Sequence, residues 1–314
     1  MAAGRNQTTT TEFILIGFGD TKEFHILFSF IFLAIYLSTT MGNILIIALI
    51  ITNNNLHTPM YFFLGNLACL EICYISTIVP KLITVFLTGD GAISFWGCIV
   101  QFYFFAALAA TECTLLAVMS HDRYLAICKP LHYGTLMNIR VCIVRAAGCW
   151  LSGFPVLLIV LHLMSRLPFC GSNRIQHFFC DLAPVISISC GETQAVEFAL
   201  FSIAFTLILP PFLLTAISYA FIILAVLRIP STTGRKKAFS TCSSHLIVVS
   251  MFYGSLAVVY LLPRIETLRK FNKIFSVFYT IVTPLINPLI YTLRNREFKV
   301  ALKKSIQKMI HNTF

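Results

Sequence analysis

Apolar and polar residues are sorted along this chain into long blocks rather than into short alternating patterns. Seven mostly apolar stretches, each of about 20 residues or more, are separated by shorter segments that hold most of the charged residues. A helix of about 20 apolar residues spans the hydrocarbon core of a bilayer, which is about 30 Å thick. The pattern therefore predicts seven membrane-spanning helices, at 24–51, 59–87, 94–128, 141–164, 197–227, 238–262 and 274–293.

The segment after the last span has a different pattern. Between 295 and 310, apolar residues alternate with Lys299, Lys303, Lys304 and Lys308. This arrangement favours a short amphipathic helix that lies on an anionic membrane surface. The predicted fold is an all-α integral membrane protein, a seven-transmembrane helix bundle with a short amphipathic C-terminal helix. Its parts are an extracellular amino-terminal segment at 1–23, the membrane domain at 24–293 and a cytoplasmic tail at 294–314.

Composition agrees with a protein whose partner is the lipid bilayer. The 314 residues are 58% hydrophobic and only 11% charged, whereas a soluble domain is about 25% charged. The net charge of +11 would indicate a nucleic-acid partner in a soluble protein. Here no soluble domain is left to carry such a site, so no nucleic-acid partner is expected and the charge reflects membrane orientation.

Orientation follows from the basic residues. Most of the 23 Lys and Arg residues lie in segments that are cytosolic if the amino terminus is outside, as the enrichment of basic residues on cytoplasmic flanks requires. Asn6 heads a glycosylation acceptor sequence, which agrees with an extracellular amino terminus. Residues 1–23 show no cleavable signal peptide, so the first span is expected to act as the insertion signal. We predict a multi-pass plasma-membrane protein with a cytoplasmic carboxyl terminus.

The cysteines divide between the two sides of the membrane. The extracellular side holds Cys98, Cys170, Cys180 and Cys190. An oxidising compartment favours two disulfides among these four, but four cysteines allow three pairings and the spacing does not choose. A soft-metal site at His177, Cys180 and Asp181 is the weaker alternative, because Cys180 is expected to be in a disulfide. No metal and no cofactor is predicted.

Two carboxylates lie in the middle of predicted spans. Glu71 and Glu112 are candidates for a functional role, because an ionisable residue at the centre of a membrane helix costs about 2.5–3.5 kcal/mol. Either each is protonated and hydrogen-bonded within the bundle, or the two face each other and share a cation or a proton. In both cases they should point inward, with Asn43 and Asn287 as polar neighbours.

Helical periodicity identifies residues that face one another in the outer half of the bundle. The predicted lining of a ligand-binding pocket is Phe102, Phe105, Ala106, Ala109, Ala110, Ile203, Ala204, Leu207, Tyr253, Leu256, Ala257, Tyr260, Val277 and Thr280. A mostly apolar lining with a few hydroxyl groups is typical of small-ligand sites. For any single member, ordinary packing within the bundle is the alternative interpretation.

Several short motifs follow one another along the chain. They are Pro59 to Leu64 (PMYFFL), Met119 to Cys128 (MSHDRYLAIC), Ser218-Tyr219, Lys237 to His245 (KAFSTCSSH) and Pro284 to Tyr291 (PLINPLIY). In order and spacing they resemble the signatures of olfactory receptors, which are rhodopsin-like G-protein-coupled receptors. The resemblance covers nearly the whole chain. Two departures are Ser120-His121 before the Asp-Arg-Tyr triplet and Glu71, where Asp is commoner in the family.

The resemblance implies a function and a mechanism. The chain would bind small, mostly neutral volatile odorants within the bundle and activate a stimulatory, olfactory-type heterotrimeric G protein that raises cyclic AMP. Phe105 replaces the Asp of receptors for cationic amines, which disfavours a charged amine ligand. The resemblance also implies the disulfide pairs Cys98–Cys180 and Cys170–Cys190.

The resemblance further implies a conformational switch at the cytosolic end, in which Arg123 is held by Asp122 at rest and turns toward Tyr219 on activation. The expected switch and G-protein-coupling residues are Asp122, Arg123, Tyr124, Tyr219, Lys237, His245, Asn287, Pro288 and Tyr291. From the residues alone, the Asp122-Arg123 pair is equally consistent with ordinary charged flanks of a span.

Three other classes of protein are less consistent with the sequence than an odorant receptor. A rhodopsin-like receptor for a non-odorant metabolite or lipid is the closest alternative. A membrane transporter is less favoured, because the chain shows none of the internal repetition typical of transporter folds. An enzyme is not expected, because none of the common catalytic motifs is present.

Overall fold

The computed structural model describes residues 12–18, 22–169, 172–191, 193–261, 271–294 and 296–313. The connecting segments contain short helices at Tyr133–Leu136 and Leu182–Ile186 and 3₁₀ turns at Lys22–Phe24, Asn54–Leu56 and Pro130–His132. Eight longer helices form the rest of the helical structure in this part of the chain. They are α1 (His25–Thr52), α2 (Pro59–Thr88), α3 (Phe95–Cys128), α4 (Ile139–Ser165), α5 (Gln194–Leu227), α6 (Thr232–Leu256, continued by a π-helical turn, Ala257–Leu261), α7 (Asn272–Val277, a π-helical turn Phe278–Val282, then Thr283–Arg294) and α8 (Arg296–Thr313).

The predicted seven-helix membrane bundle with a C-terminal helix is confirmed. Helices α1 to α5 and the Asn272–Ile290 part of α7 are long and apolar enough to cross a membrane, and α6 contributes a shorter apolar stretch, His245–Tyr260. Helix α3 is the central helix of the bundle. Of the residues in its most apolar stretch, 72% are buried, whereas the corresponding share for α1 is 22%. The apolar side chains exposed on the outer helices form the surface that faces lipid. They contact lipid there instead of water, so their exposure is not unfavourable.

Polar caps set several helix ends. The Asn138 side chain accepts a hydrogen bond from the Val141 amide at 3.0 Å, so α4 begins at Ile139, two residues before the predicted start. The Ser94 hydroxyl accepts from the Gly97 amide at 3.1 Å at the start of α3. Such caps satisfy amide groups that have no partner within the helix.

A small sheet, which the sequence analysis did not predict, covers the end of the bundle at which α3 begins. Strands β1 (Glu12–Leu15), β2 (Ala92–Ser94) and β3 (Arg174–Ile175) lie in the order β2-β1-β3, with β1 antiparallel to β2 and parallel to β3. A side-chain carbon at Gly91 would clash with the Leu15 carbonyl oxygen, so only glycine permits this approach. The sheet ties the amino-terminal segment to the loops above the bundle.

A disulfide holds the long loop between α4 and α5 to the outer end of α3. The predicted Cys98–Cys180 bond is confirmed, with the two Cα atoms 5.4 Å apart. Cys190 is also disulfide-bonded, while its predicted partner Cys170 lies outside the described residues. Phe179, next to Cys180, is fully buried, so the loop forms a closed lid on the bundle.

Helices α3 and α4 approach closely beside the outer half of the bundle. A side-chain carbon at Gly153 would lie 2.7 Å from the Ala107 carbonyl oxygen and 2.9 Å from the Ala110 methyl group. Small residues on both helices are therefore needed for this contact, as is common between membrane helices. The contact positions Leu157 and Val160, one and two turns further along α4, beside α3.

Candidate functional site

An apolar cavity lies in the outer half of the bundle, between α3, α4, α5 and α6. Its empty space amounts to about 550 Å³, including the part that opens to the surroundings. The residues that line it are Phe102, Phe105, Ala106, Ala109, Ala110, Cys113, Leu157, Val160, Leu182, Leu200, Ile203, Ala204, Leu207, Ile208, Leu256 and Tyr260. Leu182 comes from the disulfide-bonded loop, so the lid contributes directly to the cavity wall.

The predicted lining agrees with this cavity on α3 and α5 but only in part on α6 and α7. All predicted residues of α3 and α5 line it, as do Leu256 and Tyr260 on α6. Tyr253, Ala257, Val277 and Thr280 are not among the described lining residues. The cavity is therefore displaced from α7 toward α4, and the ligand-binding role of its lining stays a prediction.

The π-helical turn explains the error at Ala257. A π turn inserts one extra residue into the helical repeat, which rotates the residues beside it onto another face. As a result Leu256 and Tyr260 face the cavity, whereas Ala257 does not. Tyr253 lies below the cavity, where its hydroxyl donates to the Cys113 carbonyl oxygen at 2.6 Å.

Aromatic packing explains the errors on α7. The Phe105 ring lies 4.8 Å from the Phe179 ring and 5.9 Å from the Tyr279 ring, so these side chains fill the space between α3 and α7. The Thr280 hydroxyl is buried and donates to the Ser276 carbonyl oxygen of its own helix at 2.6 Å. Val277 and Thr280 are thus separated from the cavity.

Six lining residues were missed by the sequence analysis. They are Cys113, Leu157, Val160, Leu182, Leu200 and Ile208. Cys113, Leu200 and Ile208 lie one helical turn from predicted members, so extending the same periodicity by one turn finds them. Leu157, Val160 and Leu182 carry no such signal, because their places depend on the α3–α4 contact and on the disulfide-bonded loop.

The outer end of the cavity is closed by a cluster around Asp181. One carboxylate oxygen of Asp181 accepts hydrogen bonds from the Leu182 amide and the Tyr260 hydroxyl, both at 2.7 Å. The Tyr260 hydroxyl also lies 3.2 Å from that of Tyr279. Burial raises the pKa of Asp181 to about 6, the two hydrogen bonds opposing this shift. The carboxylate is therefore mostly ionised at neutral pH.

His177 lies in the same lid and is neutral at neutral pH. Its ring packs against the rings of Phe178 and Phe179, with centroids 4.6 and 4.7 Å apart. Burial, with a smaller contribution from the Lys273 ammonium group, lowers the pKa of His177 to about 3. The alternative of a soft-metal site fails here, because the Cys180 sulfur is bonded to Cys98.

The two mid-membrane carboxylates point inward, as expected from their cost in lipid. The Asn287 amide donates a hydrogen bond to Glu71, and Glu71 lies within electrostatic reach of Glu112. The Asn43 amide instead donates to the Thr39 carbonyl oxygen of its own helix at 3.0 Å. Among the described residues, the Glu112 carboxylate has no hydrogen-bond partner. Both interpretations of the pair, protonation of each carboxyl group or a shared cation or proton, stay predictions.

At the end of α3 opposite Cys98, Asp122 has two hydrogen-bond partners. Arg123 contacts one Asp122 carboxylate oxygen at 2.6 and 3.2 Å, and the Tyr133 hydroxyl donates to the other at 2.7 Å. Burial, followed by the bond to Asp122, raises the pKa of Tyr133, so this residue keeps its proton. Tyr133 was missed by the sequence analysis, since it stands in a connecting loop without a periodic pattern.

The remaining switch residues have other partners. The Tyr219 hydroxyl lies 2.6 Å from His245 Nδ1, which joins α5 to α6 beside Arg123. The Tyr124 ring packs on Phe221, with centroids 5.8 Å apart. The Pro288 ring is 3.0 Å from where a side-chain carbon at Gly42 would be, so α1 and α7 touch there.

Four predicted positions are not covered by the structure. Asn6 and Cys170, and the side chains of Lys237 and Tyr291, lie outside the described residues. The glycosylation of Asn6, the Cys170–Cys190 disulfide and the switch roles of Lys237 and Tyr291 therefore stay predictions.

Taken together, an apolar cavity under a disulfide-bonded lid and an Asp-Arg-Tyr cluster at the opposite end of α3 define a seven-helix membrane receptor. The olfactory receptor family model matches residues 32–310. The chain belongs to the olfactory receptor family.

Individual relatives are similar over nearly the whole chain. Human olfactory receptor 6B1 is 48% identical over 299 residues, which cover 95% of this chain and 96% of the relative. Human olfactory receptor 6Y1 is 46% identical, with 96% and 93% covered. Mouse olfactory receptor 5AR1 is 45% identical, with 96% and 98% covered. The family membership makes the protein an odorant receptor of the G-protein-coupled class.

Proposed function

We propose that this receptor binds small, mostly neutral volatile molecules in the cavity between α3 and α6 and activates a stimulatory, olfactory-type G protein, which raises cyclic AMP. It acts at the plasma membrane with its amino terminus outside. The observation that carries the proposal is the cavity itself, because its wall is shared by α5 and α6. The same two helices meet beside Arg123 through Tyr219 and His245.

The lining supports a neutral and small ligand. None of the described lining residues is charged at neutral pH, so a charged ligand would be desolvated without a counter-ion, which is strongly unfavourable. The empty space of about 550 Å³ includes the part that opens to the surroundings, so the enclosed space is smaller and favours a small ligand. We propose a volatile molecule of about ten heavy atoms.

Activation requires that the ligand bind the active packing of the helices more tightly than the resting packing. A shift from 1:99 to 99:1 needs about 5.5 kcal/mol of preference. A ligand of about ten heavy atoms gains at most about 1.5 kcal/mol per atom in total binding energy, of which only the difference between the two states counts. We therefore expect partial activation by the ligand, completed by the G protein.

The disulfide supports the orientation. The Cys98–Cys180 bond lies at the start of α3, and disulfides persist in compartments that are oxidising. This end therefore faces the outside, and the opposite end of α3, with Asp122 and Arg123, faces the cytosol. The lysines of α8 lie on the same side, as the positive-inside rule requires.

Two alanines of α5 offer a matched test of the cavity. Ala204 lines the cavity, whereas Ala220 is exposed on the lipid-facing surface. In cells with a cyclic AMP reporter, Ala204→Phe should fill the cavity and raise the EC50 of an odorant by at least about tenfold, the effect of 1.4 kcal/mol. Ala220→Phe adds the same ring to the same helix and should leave the EC50 within about twofold. Equal EC50 values at equal surface staining would refute this site.

A further inference from the structure

The hydrogen-bond donors at the outer end of the cavity do not point into it. Tyr260 and Leu182 both line the cavity, yet the Tyr260 hydroxyl and the Leu182 amide donate to the same carboxylate oxygen of Asp181, each at 2.7 Å. Asp181 itself is 3% exposed and is not among the lining residues. The carboxylate thus lies behind the cavity wall and draws both donors away from a ligand.

The Tyr260 hydroxyl and the Leu182 amide are strongly bound to Asp181. An ionised carboxylate only accepts hydrogen bonds, and bonds to it are stronger than those between neutral groups. A tyrosine hydroxyl has a single proton, so Tyr260 cannot donate to Asp181 and to a ligand at once. Turning that proton toward a ligand would leave a buried carboxylate short of a partner, which is unfavourable.

Tyr279 does not restore a donor. Its hydroxyl lies 3.2 Å from that of Tyr260 and 3.3 Å from the Ser276 hydroxyl, on the α7 side of the cluster. Because the Tyr260 proton is already used, any bond between the two tyrosines has Tyr279 as the donor. The Tyr260 oxygen therefore keeps a free acceptor lone pair whenever Tyr279 donates to Ser276.

The rest of the described lining is hydrocarbon apart from Cys113. Backbone amides within the helices are bonded to their own carbonyl groups. The Cys113 thiol at the inner end of the cavity is a weak donor. A ligand in this cavity therefore meets one phenolic acceptor, one weak thiol donor and otherwise apolar side chains.

We propose that Asp181 makes this cavity selective for volatile hydrocarbons and alcohols over the aldehydes, ketones and esters of the same carbon skeleton. The inference rests on the proposed function of the cavity. A carbonyl oxygen would be desolvated without a strong donor, which is unfavourable. A hydrocarbon loses no hydrogen bond on entry, and an alcohol donates its proton to the Tyr260 oxygen. Asp181 is a specificity-determining residue that acts through Tyr260.

The test uses matched compounds on the unmodified receptor. The sets are octane, 1-octanol and octanal; ethylbenzene, 1-phenylethanol and acetophenone; and bornane, borneol and camphor. In each set that elicits a cyclic AMP response, the hydrocarbon or the alcohol should have an EC50 at least about fivefold below that of the carbonyl compound, the size of one net hydrogen bond. A carbonyl compound of equal or greater potency overturns the proposal while leaving the cavity's function intact. Silence of all nine compounds counts against both.

Two variants at one position sharpen the test. Asp181→Ala frees the Tyr260 proton, so the potency gap between carbonyl compound and hydrocarbon should shrink to about twofold or less. Asp181→Asn keeps an acceptor oxygen at the same place and should preserve the gap. Equal shifts in both variants overturn the role of Asp181. If Asp181→Ala reaches the surface but does not signal, the wild-type potencies alone decide.

Discussion

At the outer end of the bundle Asp181 is bound by two neutral donors, Tyr260 and Leu182, whereas at the cytosolic end Asp122 is bound by Arg123 and Tyr133. Both carboxylates are buried, but their surroundings differ. The partners of Asp181 are neutral groups, while Arg123 is a charged side chain that is 15% exposed. An arginine at the edge of water exchanges one partner for another at small cost, because solvent screens its charge.

Because of this difference, we expect the Asp181 cluster and the Asp122 cluster to have different roles. The outer cluster fixes the shape and the polarity of the cavity, because releasing a buried carboxylate from its partners is unfavourable. At the other end of α3, we expect the half-buried Arg123 to exchange Asp122 for another partner. Ligand selection should thus depend on a rigid lid, and signalling on a contact that opens.

The largest expected effect concerns the lid. Cys98→Ala removes the disulfide that holds the loop to α3, and loss of a native disulfide typically costs about 2–5 kcal/mol. We expect surface staining and the odorant response to fall together. Cys69→Ala is the control, since Cys69 is a free cysteine exposed toward lipid. A Cys98→Ala receptor with normal response and normal thermal stability in detergent would show that the lid does not depend on this bond.

The next effect concerns the cytosolic cluster. Tyr133→Phe removes a hydrogen bond to the ionised Asp122, and bonds to charged groups contribute about 1.5–3 kcal/mol. Asp122 then loses the bond that orients its carboxylate toward Arg123, so Arg123 should leave more easily and basal cyclic AMP should rise. Tyr36→Phe, which removes a partly exposed bond to Ser76, is the matched control. Unchanged basal signalling in Tyr133→Phe would mean that Asp122 holds Arg123 without help.

The smallest effect is a pH dependence of the lid. Folding lowers the pKa of His177 from 6.5 to about 3, so the unfolded chain binds the extra proton and stability falls as the pH is lowered below 6.5. Folding raises the pKa of Asp181 from 3.8 to about 6, so this group gains stability as the pH is lowered through 6. In the wild type the two slopes largely cancel between pH 6 and pH 4.

Replacing either Asp181 or His177 should reveal the pH dependence of stability that the other group contributes. In Asp181→Asn, thermal stability in detergent should fall between pH 6.5 and pH 5, by up to about 1.4 kcal/mol per pH unit. In His177→Leu it should rise between pH 6 and pH 5 by a similar amount, since the Asp181 slope is then uncompensated. Parallel pH curves for the two variants would contradict the opposite directions of the two pKa shifts.

The sequence predicted the seven helices and the lining on α3 and α5 because both follow from helical periodicity. It misplaced Ala257 and Thr280 because a π-helical turn and aromatic packing against Phe105 are set by tertiary contacts. It also missed the three-stranded sheet, since strands of two to four residues carry no periodic signal.

The two ends differ in the same respect. The Asp122-Arg123 contact was visible because the residues are adjacent in the chain. The partners of Asp181 and the role of Tyr133 were not, because both depend on where loops are placed by the disulfide and by the ends of α3 and α4.

The role of Arg123 in signalling is tested most directly by removing its guanidinium group while the receptor stays at the cell surface. Arg123→Ala should abolish the cyclic AMP response to the most potent compound of the matched sets, with surface staining within about twofold of wild type. Arg140→Ala, at an exposed arginine on the cytosolic end of α4, should keep the response. An unchanged response in Arg123→Ala at equal surface level would contradict the role of the Asp122–Arg123 contact in signalling.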